Sequence, residues 1–322
     1  MKTIFFYIAL GLLFVFDHAA ADKITLRIGV QASGTFDWEL AALQDDPDTA
    51  SADFQLSVQR LANAEAGKIA LQSDAVDMIV SDWIWVSKLR SSGADFTFYP
   101  YSTTSGALMV KDTSPIRTLK DLKGKRLGIA GGELDKNWLL LQALAQKEQF
   151  DLKAATEQVF GAPPLINEQL KQNRIDAALN YWHFAVRLET LGYRQIIDGK
   201  DLLKALGIKE EVPSLGYVFN RNWALQHKKA VNDFFKASQK AKNSLCDSDA
   251  AWRKIIPMTK VDGPATQARL RQRYCEGRIV RWGKQEQQAA ERIHALLRTL
   301  SGNKLTGQSE HLQPGTFWSI EE

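Results

Sequence analysis

Alternating or continuous apolar stretches predict strands along this chain, and apolar residues spaced three or four apart predict helices. Residues 25–30 alternate and then give way to a segment of small polar residues, which is typical of a strand that ends in a loop. Short apolar runs at 76–80, 126–130 and 176–180 predict further strands, and a helical stripe begins near residue 135. Strands that alternate with helices indicate α/β layering around a largely parallel sheet.

The pattern changes toward the carboxyl end of the chain. After a strand predicted at 215–220, only helical stripes follow, for example at 230–245 and 290–300. No internal repeat, low-complexity tract or Gly/Ser linker is visible. We therefore expect two α/β units and a helical tail without a flexible tether. The length of 322 residues agrees with about two domains of roughly 150 residues each.

Composition excludes several protein classes. With 45% hydrophobic and 24% charged residues, the chain is neither disordered, nor collagen-like, nor a multi-span membrane protein. Its formal charge is only +4 and it lacks a dense run of basic residues, so we expect no nucleic-acid partner.

The first 21 residues predict export. Lys2 precedes an apolar run at 4–16, and three alanines at 19–21 supply a cleavage pattern, so we expect a signal peptide removed before Asp22. The run is shorter than the roughly 20 residues that cross a bilayer. An uncleaved anchor is the alternative. The mature protein is expected to be soluble.

Export affects how the two cysteines are interpreted. In an oxidising compartment Cys246 and Cys275 are expected to form a disulfide. Two unpaired buried cysteines are the alternative.

Polar, small and aromatic residues follow several predicted strands. Ligands of open α/β sheets bind beyond the carboxyl ends of strands, so these residues are candidates for one shared cleft. The candidates after the strands are Ser33, Thr35, Trp38, Ser81, Asp82, Trp83, Gly132, Glu133, Asn180, Tyr181 and Trp182.

One family resemblance rests on three motifs: A-L-Q-S-D-A-V-D at 70–77, D-L-K-G-K-R-L-G at 121–128 and R-I-D-A-A at 174–178. Together with the leader, they make the chain similar to periplasmic solute-binding proteins of ABC importers. The branch it resembles handles nitrate, sulfonates, taurine and related small solutes.

The resemblance implies a type II fold with two lobes that close on a solute, each lobe a mostly parallel sheet flanked by helices. One lobe would comprise residues 22–109 and 208–322, and the other residues 110–207. It also implies a periplasmic, monomeric protein that docks on a membrane permease. The family tends to place hydroxyl contacts before the first crossover, which adds Thr104 and Ser105 to the candidates.

The candidate residues leave the solute open. Asp82 beside Trp83 suits a cationic or hydrogen-bond-donating ligand, whereas an anion would favour arginine, lysine or bare backbone N–H groups. Gly132 and Glu133 fit either an anion-binding turn or a glycine turn whose helix is capped by Asp135. Five acids could suggest a metal site, but their scatter favours solvated surface. They are Asp37, Glu39, Asp82, Glu133 and Asp135.

Enzyme signatures such as GxSxG, HExxH, Walker A and GxGxxG are absent from the sequence. We expect no catalytic residues, no metal and no cofactor. Two alternatives to solute transport stay open: an accessory protein of the same fold that binds a protein partner, and an enzyme or metal carrier.

Overall fold

Two five-stranded sheets form the centre of the molecule in the computed structural model, which describes residues 23–32, 34–47, 49 and 52–319. The signal-peptide prediction and Ser33 lie outside the described residues. The first sheet has the order β2-β1-β3-β10-β4, and the second has the order β7-β6-β8-β5-β9. The strands are β1 Ile24–Gln31, β2 Phe54–Leu61, β3 Met78–Ser81, β4 Phe96–Ser102, β5 Ala107–Lys111, β6 Arg126–Ala130, β7 Glu157–Gly161, β8 Ala177–Asn180, β9 Tyr193–Asp198 and β10 Leu215–Asn220.

Each sheet contains a single strand that runs against the others. In the first sheet β10 is antiparallel to β3 and β4, and in the second β5 is antiparallel to β8 and β9. The remaining pairs of each sheet are parallel. The prediction of a two-lobed α/β fold with mostly parallel sheets is therefore confirmed, and each sheet is mixed because of its one reversed strand.

Helices cover both sheets and then form the carboxyl-terminal part. The helices are α1 Phe36–Gln44, α2 Ala64–Gln72, α3 Trp83–Arg90, α4 Lys136–Lys147, α5 Leu152–Ala155, α6 Pro163–Lys171, α7 Trp182–Glu189, α8 Gly199–Ala205, α9 Arg221–Gln226, α10 Lys228–Asp247, α11 Asp249–Thr259, α12 Pro264–Glu276, α13 Lys284–Ser301 and α14 Asn303–Thr306. We call the first sheet with its helices the first lobe, and the second sheet with α4 to α8 the second lobe. Along the described part of the chain no strand follows β10, so the helical tail is confirmed.

Near the start of β1 and of β6, an arginine and an aspartate form the same pair of hydrogen bonds. The backbone N–H of Arg27 donates to the carboxylate of Asp77 at 2.8 Å, and the N–H of Asp77 donates back to the carbonyl of Arg27 at 2.7 Å. Arg126 and Asp176 repeat both bonds, each at 2.8 Å. The two residues of each motif are 50 positions apart, so the two sheets share this local arrangement.

A glycine follows each of these arginines by two positions. A Cβ on Gly29 would lie 2.9 Å from a methyl carbon of Ile79, and one on Gly128 would overlap Ile175. Both glycines therefore allow close packing of a strand against its neighbour. This close packing explains why an arginine and one apolar residue are followed by a glycine at both 27–29 and 126–128.

Buried apolar side chains form the core of each lobe and also connect the two lobes. One buried cluster combines Leu108 and Trp138 of the second lobe with Val218 and Ile293 of the first lobe and the tail. Helix α13 packs against α4, and α12 packs against α7. The lobes therefore contact each other through the carboxyl-terminal helices on two sides.

The predicted disulfide between Cys246 and Cys275 is present, with a Cα–Cα distance of 5.6 Å. It links the end of α10 to the end of α12. Closing a loop of this length contributes about 3–4 kcal/mol by the chain-entropy argument. The bond thus fixes α12, the helix that reaches the second lobe.

Candidate functional site

An ion pair between the lobes marks the point where the two sheets face each other. Asp82 follows β3, Lys136 begins α4 after β6, and the Lys136 ammonium lies 3.0 Å from the Asp82 carboxylate. The side chain of Asp82 is only 8% exposed and that of Lys136 is 34% exposed. Because carboxyl ends of parallel strands are where α/β folds bind ligands, this pair defines the candidate cleft.

Local structure fixes the carboxylate of the pair. Asp82 is the N-cap of α3 and accepts a hydrogen bond of 3.0 Å from the backbone N–H of Trp85. Burial alone would raise the pKa of Asp82, but Lys136, Lys68 and the Trp85 N–H together lower it. Burial alone would lower the pKa of Lys136, yet Asp82 and Asp135 raise it. Both side chains are therefore held in their charged forms.

A second carboxylate lies beside the ion pair. Asp135 caps α4 by accepting a hydrogen bond of 3.0 Å from the backbone N–H of Trp138, which agrees with the capped-turn alternative for this segment. Burial raises the pKa of Asp135, although Lys136 opposes that change. A Cβ on Gly131 would lie 3.5 Å from the Tyr181 hydroxyl and 3.7 Å from the Asp135 carboxylate. With a φ of +97°, Gly131 thus keeps a small space open between these groups.

Four aromatic rings form a second contact across the boundary between the lobes. Trp38 of α1 lies 6.3 Å from Trp182 of α7, 6.0 Å from Trp252 and 5.8 Å from Tyr274, measured between ring centroids. Trp182 lies 6.4 Å from Tyr274. Trp38 is almost fully buried and Trp182 is half-buried. Trp252 and Tyr274 are buried like Trp38, so Trp182 is the ring of this group that can offer apolar area to an organic ligand.

A buried polar cluster supports the aromatic wall from behind. Glu39 is fully buried and accepts a hydrogen bond of 2.6 Å from Tyr274. The ammonium of Lys242 lies 3.4 Å from the same carboxylate and 3.8 Å from the Tyr101 ring centroid. Tyr217 and Ser238 complete the surroundings of Glu39, each with a hydroxyl 3.4 Å from its carboxylate.

Burial controls ionisation in this cluster. Burial lowers the pKa of Lys242, although the neighbouring Glu39 opposes this change. Burial also raises the pKa of Tyr274 and of Tyr217 well above the ordinary tyrosine range, and the negative charge of Glu39 raises both further. The tyrosines therefore stay protonated and act as donors. The expectation that the acids of the chain lie on solvated surface is wrong for Glu39 and Asp82, which are both buried. A buried charge needs a partner, and each of these carboxylates has a lysine that compensates it.

Several predicted ligand residues make structural bonds instead of presenting free polar groups. Trp83 is buried and its indole N–H donates to the carbonyl of Pro213 at 3.0 Å. The amide of Asn180 donates to Asn167 at 2.8 Å and to the carbonyl of Pro163 at 2.9 Å. Ser81 is buried at the end of β3, beside β10. These bonds shape the base of the cleft.

The remaining predicted residues lie at the rim or the crossover. Thr35 is half-buried at the start of α1, and Gly132 and Glu133 are exposed. The hydroxyl of Thr104 lies 2.8 Å from that of Ser102, and Ser105 packs against Gly199. The structure thus brings Asp82, Tyr181, Trp182 and Trp38 toward the boundary between the lobes, but not Trp83.

Sequence reasoning missed Lys136, Trp252 and Tyr274. Lys136 follows the predicted cap Asp135 directly, so its place at a helix start beyond a strand was a usable signal. Trp252 and Tyr274 belong to α11 and α12. No local pattern indicates that α11 packs against α1 and α12 against α7.

The arginines between 269 and 281 are engaged in ion pairs. Arg269 and Arg273 both contact Glu189 of α7 in the second lobe, Arg273 at 3.5 Å. The other pairs are Arg271–Asp249, Arg273–Glu276, Arg278–Asp247 and Arg281–Glu286. Two further bonds join the lobes here: Arg187 donates to the Thr259 carbonyl at 2.9 Å, and the Thr190 and Thr266 hydroxyls lie 2.7 Å apart. This segment therefore connects the lobes.

Two negative findings apply to the described residues alone. Among them, no cluster of three or more His, Cys, Asp or Glu side chains is arranged to hold a metal ion. In the same part of the chain, no helix has the length and apolar character of a membrane span.

Two five-stranded sheets, each with one reversed strand, that meet through an ion pair beyond their strand ends are typical of a periplasmic-binding-protein fold. The sequence matches the NMT1/THI5-like family over residues 54–249, more than half of the chain. The chain belongs to this family. A comparison with curated proteins finds no match.

Solved structures share the fold at low sequence identity. The alkanesulfonate-binding protein SsuA from Xanthomonas axonopodis pv. citri, bound to MOPS, is 17% identical with a TM-score of 0.72, covering 93% of this chain and 99% of that chain. The periplasmic aliphatic sulphonate binding protein SsuA from Escherichia coli is 16% identical with a TM-score of 0.72, covering 92% and 97%. A ligand-binding component of an ABC-type import system from Staphylococcus aureus, with zinc bound, is 14% identical with a TM-score of 0.67, covering 92% and 98%.

Proposed function

We propose that this protein is the ligand-binding component of an ABC import system. It captures a small organic solute between its two lobes and delivers it to a membrane permease. The observation that carries the proposal is the buried Asp82–Lys136 pair, because it places opposite charges of two separate sheets at the site where a solute would enter. The sulfonate-binding and import-system proteins that share the fold support the same role.

The proposed cycle is a hinge motion of the lobes. We place the boundaries between the lobes at the two crossing segments, between β4 and β5 and between α8 and β10. Opening would separate Asp82 from Lys136 and Trp38 from Trp182, and a bound solute would favour closure through its contacts to both lobes. The lobes act as one monomer, and binding rather than catalysis is their task.

Export to the periplasm belongs to the same proposal. The apolar leader ends at three alanines, and the Escherichia coli protein of this fold is periplasmic by name. Mass spectrometry of the exported chain should give an amino terminus at Asp22. A chain that keeps Met1 would contradict the cleavage and favour an anchor.

The central test is the detection of a carried solute. The full exported chain is purified under gentle conditions, and native mass spectrometry compares its mass before and after denaturation. We expect a stoichiometric small molecule that is released on unfolding. X-ray scattering should then show a smaller radius of gyration with the recovered molecule than without it.

A matched pair of variants connects binding to the cleft. Lys136→Gln removes the charge between the lobes, whereas Lys153→Gln removes a lysine from the short helix α5 of the same lobe. We expect the first variant to lose the carried molecule and the second to retain it. The proposal fails if the native chain carries no small molecule and closes on none from a panel of amines, amino acids, sulfonates and pyrimidines.

A further inference from the structure

The Asp82–Lys136 pair restricts the charge of the solute, and we propose that the cleft selects a zwitterion. A cationic group of the solute would contact Asp82, and an anionic group would contact Lys136. This inference rests on the proposed function, because it names the class of solute that the same cleft binds.

The first step of the argument concerns the energy of separating the pair. Asp82 is nearly inaccessible and lies 3.0 Å from Lys136 when the lobes are together. A solute that enters between them leaves both charges without their partner. Removing one partner of a buried pair is strongly unfavourable, so the solute has to replace both partners.

The second step concerns solutes with a single charge. A simple anion would satisfy Lys136 but would face the carboxylates of Asp82 and Asp135, which both interact with this lysine. A simple cation would satisfy Asp82 but would take from Lys136 the carboxylate with which it pairs directly at 3.0 Å, leaving only its interaction with Asp135. A solute with one charge of each sign leaves neither group uncompensated.

The third step concerns the other cation that acts on Asp82. Lys68 lowers the pKa of Asp82, but its ammonium is bound to Glu65 at 2.8 Å and lies 5.4 Å from the ring centroid of Trp85. The Lys68 ammonium therefore already has its own carboxylate and aromatic partners within the first lobe. Lys136 is the cation that pairs directly with Asp82 across the lobes.

The ring of Tyr181, which lies beside Asp135 and Lys136, suits a short carbon skeleton between the two charges. Tyr181 interacts with both Lys136 and Asp135, and the next residue, Trp182, packs against Trp38. Apolar rings beside a pair of charges can contact methylene groups while the polar ends are bound.

The test uses probes that share one skeleton and differ in charge: 4-aminobutanoate, butanoate and butylamine. A second set replaces the carboxylate with a sulfonate: 3-aminopropane-1-sulfonate and propane-1-sulfonate, with propylamine. Titration calorimetry on the full exported chain measures each affinity. In at least one set we expect the zwitterion to bind about tenfold tighter, or more, than either singly charged probe.

Charge variants separate recognition from a merely structural role. Asp82→Asn keeps a helix-capping side chain, and it should make the zwitterion and the anion bind alike. Lys136→Gln should make the zwitterion and the amine bind alike. Lys68→Gln is the control and should leave the order of affinities unchanged. A variant that only weakened the fold would lower all affinities together without changing their order.

The contrary outcomes are distinct from failure of the proposed function. If the anion binds the native chain as tightly as the zwitterion, or if Asp82→Asn leaves the order unchanged, the inference is wrong while solute binding stands. If no probe binds, the inference is also wrong for these zwitterions. Solute binding is then judged separately by the carried molecule.

Discussion

The hydroxyl of Tyr274 donates a 2.6 Å hydrogen bond to Glu39, although 235 residues separate the two along the chain. Glu39 follows Trp38 on α1, and Tyr274 precedes the disulfide cysteine Cys275 on α12. The bond therefore connects the first helix of the cleft to the helix that contacts the second lobe.

Removal of this hydroxyl should weaken the fold measurably. Tyr274→Phe leaves a buried carboxylate with one donor fewer, and we expect a loss of about 1–3 kcal/mol in the free energy of unfolding. Urea unfolding followed by fluorescence measures it. Tyr193→Phe removes a hydroxyl from β9 in the other lobe and serves as the control. Equal losses in both variants would contradict a special role for the Glu39 bond.

The buried Glu39–Lys242 pair should show strong coupling between its members. Lys242→Met leaves the carboxylate of Glu39 buried without its cation, and we expect a loss of about 3–5 kcal/mol. Adding Glu39→Gln to that variant removes the uncompensated charge and should recover most of the loss. A double-mutant cycle in denaturant checks this expectation, and additive losses would exclude direct coupling.

At acid pH the fold should lose the stabilisation that the ionised carboxylate of Asp82 provides. The pKa of Asp82 is lowered in the folded state. Ionised Asp82 therefore stabilises the fold at pH values above about 3.9, the ordinary pKa of aspartate. This stabilisation is lost as the pH falls through the lower pKa of the folded state. Asp82→Asn should therefore reduce stability at neutral pH and have little effect in strong acid. Unfolding curves across that range test it. A constant difference between the two proteins would contradict it.

Asp135 should show the opposite pH dependence. Burial raises its pKa, so the folded state disfavours the carboxylate once the pH rises above the unfolded aspartate value of about 3.9. Asp135→Asn keeps the cap on α4 and should increase stability at neutral pH but not in acid. Thermal melts at both pH values measure the change. A loss of stability at neutral pH would show that Lys136 depends on this charge.

The disulfide should matter for both stability and the position of α12. Replacing Cys246 and Cys275 together by serine removes the loop constraint, and we expect a loss of about 3–4 kcal/mol in the free energy of unfolding. Amide hydrogen exchange should accelerate most in α12, since the bond holds the end of this helix. Uniform acceleration throughout the chain would contradict a local positioning role.

Element types were largely predictable because local rules agree with the tertiary environment here. The strand predicted at 215–220 matches β10, and that predicted at 126–130 matches β6. Asp135 marks the start of α4 in the sequence and caps it in the structure. Buried strands and capped helices have signatures in consecutive residues, so a single sequence is sufficient to find them.

The residues of the site were only partly predictable. The end of each strand indicates where a cleft lies, but not which side chains turn into it. Trp83 and Trp182 occupy corresponding positions after β3 and β8, yet Trp83 bonds to Pro213 in the core and Trp182 packs across the lobes. Their local sequences do not distinguish these outcomes, because the difference arises from distant packing partners.

The α/β class and the helical tail follow from hydrophobic periodicity, which is visible in consecutive residues of the chain. The pairing of Lys136 with Asp82, the bond from Tyr274 to Glu39 and the contact of α12 with the second lobe appear only in the folded molecule. Periodicity and helix caps act over a few residues, whereas the pairing of buried charges depends on how two separately built sheets approach each other.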